Sequence, residues 1–164
     1  MPKVLAKNGQ WLEQSVHALF EGGCENVLVV LGAADADMPA GAKKVWASDW
    51  ASGMGASLRA GLAAAENLPA SRFALISVVD TPDVGVEVVL RVRDAGLVAV
   101  SGIARARFVG APGHPVIIAR RHWGSVAASA VGDSGARSFL RSRAQVVDVE
   151  CGDLASGADQ DYST

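Results

Sequence analysis

Val27-Leu-Val-Val-Leu31 and Phe73-Ala-Leu-Ile-Ser-Val-Val79 are the stretches that most restrict what this chain can fold into. Both are almost continuously apolar, so neither face of the extended segment suits water. Such strands need apolar cover above and below, and a sheet flanked by helices on both sides supplies it. Gly32, Asp35 and Asp37 bound the first run, and Asp80-Thr-Pro-Asp83 bounds the second. Ahead of the first run, residues 10–21 carry Leu12, Val16, Leu19 and Phe20 at helical offsets, and Gly22-Gly23 stops the helix.

The alternation continues to the far end. A short extended piece at 44–47 and a Gly/Ser loop lead into an Ala-rich helix over 57–66. Past the second run the spacing predicts a helix over 84–94 closed by Gly96, a strand over 97–103 and a loop over 105–113. A strand over 115–119, a helix over 120–130, a further helix opened by Gly132-Asp-Ser-Gly-Ala-Arg137 and a last strand over 145–149 precede a polar tail. Neither a repeat nor a linker breaks this order. The expectation is one domain over 1–164, a three-layer α/β/α fold with a mostly parallel, Rossmann-like sheet. Ligands of such sheets sit beyond the carboxyl ends of the strands, so the loops there carry most weight.

Composition removes several function classes. The chain has 164 residues with a net charge of −2, which provides no basic footprint for nucleic acid or an anionic membrane. Aromatic residues are 5%, too few for an array of base-stacking platforms. Cys24 and Cys151 lie far apart, against a zinc knuckle or a disulfide scaffold. No signal-like apolar segment opens the chain and no long apolar run crosses it, so the expected setting is cytoplasmic.

Four stretches carry polar chemistry. Ala51-Ser-Gly-Met-Gly-Ala-Ser-Leu-Arg-Ala-Gly61 is a glycine-containing loop entering a helix; it is either an anion or nucleobase site at the helix start or a plain turn with a Ser cap. Asp80, after the second apolar run, either meets a hard divalent cation with phosphate oxygens or caps the next helix, a role that suits Asp83 better. Gly113-His114-Pro115 is either a substrate contact or a tight turn. Asp159-Gln-Asp161 is either a source of further cation ligands or a solvated terminus. His17 and His122 lack a ligand partner at helical spacing, and Trp46 and Trp50 suit core or lid packing.

Taken in this order, the pieces resemble the MobA/MocA-like molybdenum-cofactor nucleotidyltransferases, of the glycosyltransferase-A or nucleotide-diphospho-sugar transferase type of fold. Pro2-Lys3-Val4-Leu5 is similar to the end of that family's phosphate loop, and Gly53-Met-Gly-Ala-Ser57-Leu-Arg-Ala-Gly61 to its G-M-x-x-S-L-x-x-G segment. Asp80-Thr-Pro82 resembles its metal-binding D-x-P. Gly113-His-Pro115 and Gly132-Asp-Ser-Gly-Ala-Arg137 resemble stretches of the cytidylyl-transferring branch. Asp159-Gln-Asp161 resembles the closing D-x-D-T, with Tyr162 in place of Thr. Met1 falls where the family's loop continues upstream, so the first strand and the Gly/Arg-rich phosphate cradle are expected to be missing, through a start placed too late or a shortened protein.

The resemblance implies transfer of CMP or GMP from CTP or GTP to a phosphorylated acceptor of the molybdopterin type. It implies Lys3 and Asp80 as catalytic residues, and Lys3, Gly53, Ser57 and Leu58 as nucleotide-binding ones. Gly113, His114 and Pro115 would line the acceptor, and Asp80, Asp159 and Asp161 would hold Mg²⁺. A molybdenum hydroxylase or its maturation factor is the implied protein partner. Two other readings stand beside it: a non-catalytic nucleotide or pterin binder, and a guanylyltransferase for a phospholactate-type acceptor. A missing central strand also implies that Val27-Leu31 and Phe73-Val79 do not pair directly.

Overall fold

Local pattern sets the first helix. In the computed structural model, which describes residues 2–143 and 145–161, α1 spans Gln10–Glu21 and buries Trp11, Leu12, Val16 and Ala18. That face packs on β1 (Leu28–Leu31), where Val29 and Leu31 are buried toward it. Val30 points the opposite way, toward α2 (Met54–Glu66), and a Cβ on Gly61 would lie 3.1 Å from it. β1 pairs in parallel with β2 (Lys43–Trp46). The apolar run at 27–31 is thus covered on both faces, as its composition requires.

The second sheet has four strands in the order β3-β5-β4-β6: Phe73–Ile76, Ala111–Ala119, Ile103–Phe108 and Val147–Glu150. Its side chains alternate between two cores. Ile103, Val116 and Ile118 face α2, α4 (Trp123–Ser129) and α5 (Arg137–Arg141), while Ala104, Ala106 and Ile117 face α3 (Val86–Val98). Helices therefore lie on both sides of the sheet. The layered α/β architecture expected from the sequence is the one found.

Several details differ from the expectations. The sheet is mixed: β4 and β6 run parallel, but β5 is antiparallel to both β3 and β4. The stretch expected as a loop over 105–113 is mostly strand, because β4 and β5 form a hairpin turning at Val109-Gly110. The Glu150 carboxylate accepts from both turn amides, at 3.0 and 2.8 Å. The strand expected over 97–103 gives way to the end of α3 and the start of β4. Gly96 does not stop that helix; a Cβ there would lie 2.2 Å from Ile117 Cγ2, so it marks a close helix–sheet approach.

β1 and β3 do not pair with each other among the described residues. Pro2-Lys-Val4 and a cavity of about 240 Å³ lie between their carboxyl ends. No helix among the described residues is long and apolar enough to cross a membrane.

Candidate functional site

β3 ends at Ile76, opposite Val116, the last regular β5 residue before the Gly113-His114-Pro115 stretch. The chain leaves the sheet at Ser77 and turns at Val79-Asp80, so Asp80 stands four residues past the strand and not at its tip. It also caps no helix, since α3 begins at Val86 behind Gly85. Its carboxylate accepts from Lys3 Nζ at 2.5 Å, with side-chain exposures of 41% for Lys3 and 18% for Asp80. Lys3 and Asp80 share the cavity with Gly32, Met54 and Val79. Thr81 is buried beside them, and its hydroxyl has no partner among the described residues.

The far end of the chain arrives at the same place. The Gln160 amide donates to the Asp80 carbonyl at 2.7 Å, which sets Asp159 and Asp161 beside the Lys3–Asp80 pair. The ammonium of Lys3 is held above its ordinary range, first by the hydrogen bond to Asp80, with the charges of Asp161 and Asp159 adding to it. Tyr162, the departure from the closing motif, lies outside the described residues, as does Met1.

Gly113-His114-Pro115 is neither a turn nor a loop before a strand. It is a bulge inside β5: Arg105 pairs with Val116 and Arg107 with Pro112, so three residues of β5 lie across from Ala106. Such a bulge breaks the pleat and re-aims a side chain. Gly113 lets the bulge press on the Phe108 ring, where a Cβ would lie 2.8 Å away. His114 is half-buried and burial lowers its pKa; Asp80 and Asp159 pull the other way, and Arg137 reinforces the lowering. The imidazole is therefore neutral at pH 7 and lies within electrostatic reach of both carboxylates.

The glycine-rich stretch is built differently from the expectation. α2 starts at Met54 with Gly53 as its N-cap, so Ser57 is inside the helix and does not cap it. The Ser57 hydroxyl makes no hydrogen bond to another described residue, and Leu58 packs against the core that holds Leu62 and Trp123. Gly53 has φ 111°, and a Cβ on it would lie 2.6 Å from the Gly132 carbonyl group and from Asp133 Oδ1. The Gly55 amide donates to the Gly132 carbonyl at 2.8 Å, and Arg59 donates to the Ala130 carbonyl. Gly53, Gly55 and Arg59 thus dock this helix start onto the loop over 130–133 ahead of α5. Trp50 and Met54 stand half-exposed at the rim, and a Cβ on Gly32 would strike Trp50.

The structure accordingly gathers Lys3, Asp80, Asp159, Asp161 and His114, and leaves Ser57 and Leu58 on the neighbouring helix. Among the described residues no three His, Cys, Asp or Glu side chains lie close enough to hold a metal by themselves. The donors beside Lys3 are all carboxylate oxygens. That set fits a hard cation such as Mg²⁺ or Mn²⁺, which takes one or two carboxylates and completes its shell with phosphate oxygens and water.

Residues 3–147 match the model of the MobA-like NTP transferase domain family. A relative from Paenarthrobacter nicotinovorans named nicotine blue oxidoreductase is 34% identical over 161 residues, covering 92% of this chain and 78% of that protein. Among solved structures the chain is similar to Rv0371c of Mycobacterium tuberculosis H37Rv, with a TM-score of 0.77, 23% identity and coverage of 97% and 84% of the two chains. A manganese complex of Rv0371c has a TM-score of 0.73 at 22% identity, covering 94% and 83%. The 2-C-methyl-D-erythritol 4-phosphate cytidylyltransferase of Thermus thermophilus has a TM-score of 0.58 at 19% identity, covering 92% and 83%. These likenesses to solved structures are likenesses of fold.

Proposed function

Because the chain belongs to the MobA-like NTP transferase domain family, we propose that it transfers CMP or GMP from CTP or GTP to a phosphorylated acceptor of the molybdopterin type. One observation supports the reading: chain segments far apart in sequence meet, with Lys3 paired to Asp80, and the Gln160 amide on the Asp80 carbonyl bringing Asp159 and Asp161 near that pair. An acceptor phosphate oxygen forms a bond to the α-phosphorus, the α–β bridging P–O bond breaks, and pyrophosphate leaves. No side-chain nucleophile is needed, so the protein's part is to position and to neutralise charge.

Lys3 supplies a cation to the triphosphate, and its ion pair with Asp80 keeps it at the cleft before nucleotide arrives. Asp80, with Asp159 or Asp161, would hold the divalent cation, which when bound would offset charge on the phosphates. Gly53 and the start of α2 bound the nucleotide side, with Ser57 and Leu58 one turn further along. Gly113, His114 and Pro115 bound the acceptor side, where a neutral imidazole can donate to a phosphate oxygen without adding charge. The resemblance makes a molybdenum hydroxylase or its maturation factor the recipient of the product.

The test is pyrophosphate release from CTP and GTP with Mg²⁺ and a molybdopterin-type acceptor, with the nucleotide adduct identified by mass. Turnover with neither nucleotide would sink the reading. The name of the 34%-identical relative favours a second one, an oxidoreductase that seats a nucleotide redox cofactor in the same cleft. Oxidation of NADH or NADPH coupled to a reducible heterocycle, without pyrophosphate release, would decide for it.

A further inference from the structure

The stretch over 151–161 has no regular secondary structure, yet it is fastened at successive points. Arg91 forks onto Asp153 at 2.7 and 3.0 Å, and Leu154 and Ala155 pack on the core that contains Val84, Val88 and Phe108. The next fastening is Asp83. Its Oδ2 accepts from both the Ser156 amide, at 2.7 Å, and the Ser156 hydroxyl, at 2.6 Å. That hydroxyl in turn accepts from the Ala158 amide at 3.2 Å. Gly157 follows with φ 63°, pressed so closely on the Phe108 ring that a Cβ would lie 2.2 Å from Cδ2. Three residues later the Gln160 amide reaches the Asp80 carbonyl.

We propose that Asp83 is a positioning residue: by clamping Ser156 it holds Asp159 and Asp161 beside Asp80 and Lys3. The inference rests on the reading of Asp80 and the two tail acids as the phosphate and cation side of the site. The carboxylate suits the task because an ionised acceptor taking two donors on one oxygen makes strong, directional bonds. Arg91 and the apolar contacts hold only the part of the segment before Ser156. From Ser156 onward the path depends on the Asp83 clamp, the Gly157–Phe108 approach and, at its end, the Gln160 amide on the Asp80 carbonyl. Asp83 lies three residues after Asp80, in the turn closed by the Val84 amide on the Thr81 carbonyl, so one short stretch carries Asp80 and the clamp on the tail. The Phe108 ring also touches Gly113, which couples the path of the tail to the bulge that carries His114.

The test compares Asp83→Ala and Asp83→Asn with the parent in the full chain, reading amide hydrogen exchange at Gln160. Asp83→Ala is expected to speed exchange at Gln160 tenfold or more while the amides of β4 and β5 stay protected. Asp83→Asn, which keeps an acceptor oxygen, is expected to stay within about threefold of the parent. A Gln160 amide as protected in Asp83→Ala as in the parent would overturn the proposal. A second arm titrates Mn²⁺ alone by electron paramagnetic resonance. Loss of an outer partner that orients metal ligands weakens affinity roughly tenfold or more, so Asp83→Ala should approach the loss seen on replacing both Asp159 and Asp161 by Asn. A freed tail with unchanged Mn²⁺ affinity would also overturn it. A parent protein that binds no Mn²⁺ would count against the cation reading of Asp80, while the Gln160 exchange would still judge the clamp.

Discussion

Replacing Asp80 by Asn keeps the size and shape of the side chain and removes the charge that faces Lys3 and the tail carboxylates. Two magnitudes separate a catalytic role from a structural one. The Lys3–Asp80 pair is 2.5 Å long, but Lys3 is 41% exposed, so solvent screens the pair and its share of stability is small. Exposed pairs of this kind contribute about 0–1 kcal/mol, which for a domain of this size moves a melting midpoint by no more than about 4 °C. In transfer chemistry the loss should be far larger. If Asp80 anchors the cation and sets the place of Lys3, Asp80→Asn should slow nucleotidyl transfer by two orders of magnitude, about 2.7 kcal/mol of transition-state stabilisation. The assay is pyrophosphate release under saturating Mg²⁺ alongside a calorimetric melt. Transfer within a few-fold of the parent would refute the reasoning. So would a large drop in melting temperature, which would make Asp80 a structural keystone.

Gly53→Ala should destabilise the fold by about 2 kcal/mol or more in chemical denaturation, because a Cβ would meet the Gly132 carbonyl at a left-handed φ. Ser57→Ala should leave stability within about 0.5 kcal/mol and raise KM for the nucleotide, since its hydroxyl bonds to no other described residue. Equal KM values would remove Ser57 from the nucleotide site. The neutral His114 makes stability fall with acid. Its folded pKa lies below the ordinary value of 6.5, so the unfolded chain binds a proton that the folded one refuses. This contribution is intact above that value and is lost as pH falls through the lower folded one. His114→Gln should flatten that part of the stability–pH curve, and an unchanged curve would contradict the assignment.

Local pattern was enough for much of the architecture. The periodicity of residues 10–21 and the apolar runs at 27–31 and 73–79 each depend on neighbours in the chain, and α1 and β1 formed where that pattern put them, while β3 covers only the first half of its run, Phe73–Ile76. The order of the Lys-, Gly- and Asp-bearing motifs was legible for the same reason. What the sequence could not show depends on partners distant along the chain. Gly96 reads as a helix stop, yet it lies inside α3 because Ile117 crosses there. Gly113-His114-Pro115 reads as a turn, yet the register of β4 makes it a bulge. Asp83 reads as a cap, yet it holds Ser156, a residue 73 positions away that the β4-β6 pairing carries to its side of the sheet. A capping or turn signal reports which local bonds a residue can make. Which bond it does make is decided when packing brings a competing donor within about 3 Å, and that competition exists only in the folded chain.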